Sequence, residues 1–154
     1  FRIHGVTPAL IDDLAEAGFT DLTPEDLTAV KIHGVTPVFI QDIRASGVEN
    51  LDMEDLVAFR IHGVTPELVE EMGMFGFTHL SPGDLTSIKI HGATPAFIRE
   101  IHSMGYEDMD LQDFISFRIH GITPEYIEKV RDRGFDDLSA RELIALKKAG
   151  IIRD

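Results

Sequence analysis

Five histidines recur where they could do shared chemistry: His4, His33, His62, His91 and His120 stand at a constant interval of 29, each followed by Gly, an apolar residue, Thr and Pro. An imidazole can ligate zinc, titrate near neutral pH, or hydrogen-bond the end of a helix. Two nitrogens on one zinc, with bonds of ~2.0–2.1 Å, lie only about 3 Å from each other. Packed helices have axes roughly 8–10 Å apart. Successive histidines are therefore badly placed to share an ion, and no metal site is expected. As the last helical residue before a glycine, each imidazole can instead bond nearby backbone and, when protonated, favour the negative helix end. Capping is the reading the spacing favours. pH sensing comes second, because protonating all seven histidines would move the formal charge from −13 to −6.

Arg2, Lys31, Arg60, Lys89, Arg118 and Lys147 recur two residues before each histidine position and account for 6 of the 14 cations. They belong to the same final helical turn, where positive charge favours the helix end. A basic ladder gripping an extended anion is opposed by the acidic residues nearby. The balance of 14 Lys+Arg against 27 Asp+Glu in 154 residues argues against a nucleic-acid partner, since phosphate binding needs clustered cations.

Catalytic constellations are missing. There is no cysteine, which removes disulfides, thiolate metal sites and cysteine nucleophiles together. Metalloprotease, serine-nucleophile and phosphate-loop motifs are absent, and repetition spreads like residues along the chain where catalysis needs unlike groups at one point. We expect no enzyme, no catalytic residue and no cofactor. No apolar run approaches the ~20 residues that span a bilayer, so direct membrane insertion is not expected either. Phe1 is neither an initiator Met nor part of a signal peptide, and the chain reads as a fragment or a processed product.

The elements that position these residues follow from the 29-residue period. Thr7, Thr36, Thr65, Thr94 and Thr123 each precede Pro, the arrangement of an N-cap with Pro at the first helical position. The first helix of copy one should run over about 8–17, with Gly18 in the left-handed position that ends it. The second should run over about 24–33, capped by Thr23 with Asp26 three residues on, a capping box repeated by Asp52, Ser81, Asp110 and Ser139. Apolar residues flank the helices in the expected places, Phe19 against Leu14 and Val35 against Val30, and Ile151 is expected to fold back on Leu146 in the same way. Helices this short are marginal alone and must stack.

The fold class is therefore all-α: an α-solenoid, a superhelical array of five two-helix repeats at 1–29, 30–58, 59–87, 88–116 and 117–145, with a partial terminal repeat at 146–154. It is expected to be one domain without a linker. A second period lies over the first. Phe-Arg occurs at Phe1, Phe59 and Phe117, whereas Val30, Ile88 and Leu146 precede Lys. Either the array was duplicated in pairs, or odd and even copies face different neighbours.

Shared positions maintain a stack, so recognition is better sought where one copy departs from the others. The third copy departs most: Gly73-Met74-Phe75-Gly76 stands where the first has Ala15-Glu16-Ala17-Gly18, and Met104 occupies the Phe75 position in the fourth. Met74, Phe75 and Met104 are the candidate partner-binding patch. An adjusted packing contact is the plainer alternative. Net charge also runs along the array, from −5 in the first copy through −3, −3, −3 and −1 to +2 in the tail, which would steer a basic protein or peptide toward the early copies. The apolar ends of the array offer a route to end-to-end self-association.

The second helix of a copy, His-Gly-Val-Thr-Pro and the next helix resemble the helix-hairpin-helix DNA-binding motif, but Thr stands where that family has its second glycine. The repeated Ile-His-Gly-Val-Thr-Pro, with Gly-Phe or Gly-Tyr and Asp-Leu between copies, resembles arrays in bacterial envelope proteins. These include C-terminal extensions of antirepressor-type membrane zinc metallopeptidases, relatives of β-lactam sensors. The zinc-binding helix and membrane segments of those proteins have no counterpart here. The resemblance implies a non-catalytic sensory or protein-interaction module in a bacterial cell envelope or periplasm. A structural spacer and a pH-responsive element are the alternatives.

Overall fold

Why each helix begins where it does is visible atom by atom in the computed structural model, which describes residues 5–152. Arg2, His4 and the terminal Arg153 lie outside the described residues. Ten helices occur among them, and no strand: α1 Pro8–Glu16, α2 Pro24–His33, α3 Pro37–Ala45, α4 Met53–His62, α5 Pro66–Met74, α6 Pro82–His91, α7 Pro95–Ser103, α8 Leu111–Ile119, α9 Pro124–Arg131 and α10 Ala140–Lys148. The chain is thus all-α, with pairs of helices repeated at a fixed interval and packed consecutively.

The odd-numbered helices start on threonine. The Oγ1 atoms of Thr7, Thr36, Thr65, Thr94 and Thr123 accept the backbone N–H three residues ahead at 3.1 to 3.4 Å. The proline that follows needs no such bond, because it has no N–H. The even-numbered helices start on reciprocal boxes. Thr23 N donates to Asp26 at 2.8 Å while Asp26 N donates back at 3.2 Å, and Ser81 and Asp84 exchange the same pair at 3.0 and 3.1 Å.

Helix ends are equally regular. Val35 N donates to Val30 O at 2.9 Å and Ile122 N to Phe117 O at 2.8 Å, the long closing bond that a left-handed glycine permits. At the C-terminal end the expected partner is replaced. Ile151 is 69% exposed while Ile152 is buried, so the residue that folds inward lies one position later than the repeat pattern indicates.

The chain divides into two compact units, the first up to Thr86 and the second from Ser87, with the division inside α6. In the first unit α2 packs on α4 and α3 on α5. Its core joins Leu14 of the first copy to Val30, Val35, Ile40, Met53 and Leu56 of the second. In the second unit α8 packs on α10, and Phe114, Phe117, Tyr126, Ile127 and Leu143 are buried. Apart from the Tyr126 hydroxyl the buried side chains among the described residues are apolar, so apolar burial is the main force in the stacking.

Candidate interaction surface

Arginines link successive copies. Arg60 Nε donates to the His33 carbonyl at 3.2 Å, and Arg118 Nε to the His91 carbonyl at 3.3 Å. Both reach the end of the equivalent helix in the preceding copy, where unpaired carbonyls carry partial negative charge. The same guanidinium groups lie 4.9 Å from the ring centroids of Phe39 and Phe97. Glycine makes room for them: a Cβ on Gly92 would stand 3.1 Å from Arg118 Nη2, and one on Gly34 3.3 Å from Arg60 Nη2. Gly34 and Gly92 therefore end a helix at φ of 70° and 75° and admit the neighbouring copy's cation.

A second set lies at the ends of the odd-numbered helices. Arg44 Nη1 donates to the Ala17 carbonyl at 2.7 Å and stands over Phe19, while Arg131 Nη2 donates to the Met104 carbonyl at 2.6 Å and stands over Tyr106. Sequence reasoning placed the cations at helix ends but assigned each to its own helix. A signal that could have corrected this was present: each of these four arginines follows an aromatic residue by 21 or 25 positions.

The clamps follow the 58-residue alternation through the first four copies; in the fifth, Lys147 Nζ stands 4.3 Å from the ring centroid of Tyr126, so an odd copy also sets a cation over a ring. Phe39 and Phe97 occur in the even copies and receive Arg60 and Arg118, whereas Leu10 and Leu68 stand at that position in the first and third copies, followed by Lys31 and Lys89.

The histidines sit at the surface. His33, His62 and His91 are the last residues of their helices and are exposed, while His120 caps α8 and is half-buried. It is the backbone carbonyls of His33 and His91 that the arginines engage. No group of three His, Cys, Asp or Glu residues fit to hold a metal occurs among the described residues.

Met74 is the last residue of α5 and is 82% exposed, the most exposed of the large apolar residues described. Phe75 caps the same helix and is half-buried. Both lie in the first unit. Met104 belongs to the second, where it caps α7, is half-buried and gives its carbonyl to Arg131. Around Met74 the charge is negative: α5 carries Glu67, Glu70 and Glu71, all exposed, and no cation. A hydrogen bond from its own backbone amide, followed by one with Thr65, holds the Glu67 carboxyl below the usual carboxylate range.

Another apolar surface lies at the beginning of the first unit. Val6, Pro8, Ile11, Pro24 and Leu27 line an open cavity of about 330 Å³. Ile11 is 44% exposed there, whereas its counterparts Ile40, Ile98 and Ile127 are fully buried.

No described helix is long and apolar enough to cross a membrane. No protein-family model matches the chain, no curated protein matches it, and no solved structure does.

Proposed function

We propose that the chain is a non-catalytic protein-interaction or sensory repeat module, and that its partner is a basic protein or peptide. The observation that carries this reading is Met74: an unbranched apolar side chain, 82% exposed, at a helix end where the first copy has Glu16, the second Ala45 and the fourth Ser103. Methionine at a binding surface adapts to the shape of its partner. The surrounding glutamates favour a cationic partner.

The test is site-specific photo-crosslinking. A photoreactive residue at position 74 should capture a discrete partner that the same residue at position 16 or 45 does not, and Met74→Ala should weaken binding of the recovered partner by about tenfold or more. A structural spacer would crosslink indiscriminately or not at all.

A further inference from the structure

The arginine near the end of an odd-numbered helix occurs in the second and fifth copies, while the first has Ala15 and the fourth His102 at that position. Arg44 and Arg131 occupy the same position of their copies, and in the third copy that position is Gly73. The carbonyl in register with it, as Ala17 is with Arg44, belongs to Ser46 at the end of α3, and α3 packs directly on α5. Beyond its own helix backbone and chain neighbours, nothing lies within 4 Å of where a Gly73 Cβ would stand. The Ser46 hydroxyl is turned away to the Ile43 carbonyl at 2.7 Å. The aromatic platform is also gone, because Val48 stands where Phe19 and Tyr106 stand in the clamped copies.

We infer that the gap at Gly73 is a docking notch for an arginine side chain of the partner. That guanidinium would donate to the Ser46 carbonyl from outside, as Arg44 and Arg131 donate to Ala17 and Met104 from within. This rests on the interaction reading above and makes it specific. Three features select the occupant. The end of α3 is the negative pole of a helix. Glu70 and Glu71 on α5, together with Glu49 after α3, supply carboxylates, while the one cation in the last turn of α3, Arg44, is engaged with the Ala17 carbonyl at 2.7 Å. Met74 beside the notch offers an apolar contact to the residue flanking the incoming arginine. A planar guanidinium, which is weakly hydrated and forked, suits a carbonyl at a helix end better than a compact ammonium does. With no aromatic ring to stack on, recognition falls on the hydrogen bond and the local charge.

The test uses a fluorescein-labelled peptide alternating Arg and Leu, its Lys version, and fluorescence anisotropy with the full chain. The Arg peptide should bind about tenfold more tightly than the Lys peptide. Gly73→Arg, which rebuilds the clamp from within, should weaken binding by about tenfold while holding or raising the urea midpoint, and Gly73→Ala, too small to fill the notch, should keep binding. The proposal is overturned if neither peptide binds, if Arg and Lys peptides bind alike, or if Gly73→Arg leaves affinity unchanged. Should Gly73→Ala abolish binding with the helix content intact, the notch as described is wrong as well. Met74→Ala separates the two readings: loss with Met74→Ala but not with Gly73→Arg leaves the apolar surface standing and removes the notch, and the reverse result does the opposite.

Discussion

Arg60 donates to the carbonyl of His33, the last residue of α2, across 3.2 Å, although its own helix ends two residues later at His62. One copy of the repeat thus completes the helix end of the copy before it. The contact combines a charge-assisted hydrogen bond with the face of Phe39, 4.9 Å from the guanidinium carbon.

Because this clamp lies at the surface, each of its two contacts is modest. Arg60→Met should destabilise the first unit by about 1–2 kcal/mol, with the cation–π part contributing roughly 0.5–1 kcal/mol. A double-mutant cycle of Arg60→Met with Phe39→Leu isolates that part. A coupling of zero in urea denaturation would show that ring and guanidinium merely lie near each other.

The apolar stack carries far more. Phe59 is fully buried while Ile61, two residues on, is 54% exposed. Phe59→Ala should cost about 3–5 kcal/mol, whereas Ile61→Ala should stay within roughly 0.5 kcal/mol of wild type. Thermal or urea unfolding of the two variants gives the contrast, and equal losses would contradict the burial pattern.

Thr36 caps α3 through Phe39 N at 3.1 Å. Its replacement by Ala should cost about 1 kcal/mol, and Thr36→Ser should recover most of it, since serine supplies the same acceptor. Hydrogen exchange of the Phe39 amide reads this locally.

Two versions of the capping box should answer acid differently. The backbone amide and then the hydroxyl of Thr23 hold the Asp26 carboxyl below its ordinary value, so its contribution is present above the usual carboxylate range and is lost as pH falls through the depressed value. Asp55 goes the other way. Burial first, then the charge of Asp52, raises it against the lowering effect of the Asp52 amide, so protonation of Asp55 favours the fold and that advantage is lost as pH rises through the raised value. Carboxyl NMR titration should find Asp55 above Asp26, and Asp52→Ser should bring Asp55 down. An Asp55 that ignores Asp52→Ser would leave burial as the sole cause.

Most of the local structure follows from short-range chemistry readable in the chain itself. Thr-Pro opens a helix because threonine supplies an acceptor and proline has no N–H to leave unpaired. Glycine closes one because only it enters the left-handed region cheaply, and the short period of the repeat leaves helices that must stack. These rules act over four or five residues, which is why the boundaries of α1 and α2 agree with the sequence to within a residue. The Ile151 position shows where they stop, since a closing contact depends on what lies beneath it.

What only the tertiary structure decided is who meets whom across copies. Arg60 looks like a cap for its own helix until stacking brings His33 and Phe39 alongside. Partner choice between one copy and the next depends on how two helices pack and how far a guanidinium reaches past a glycine. Sequence spacing specifies the period of the array, and three-dimensional packing assigns each cation its acceptor.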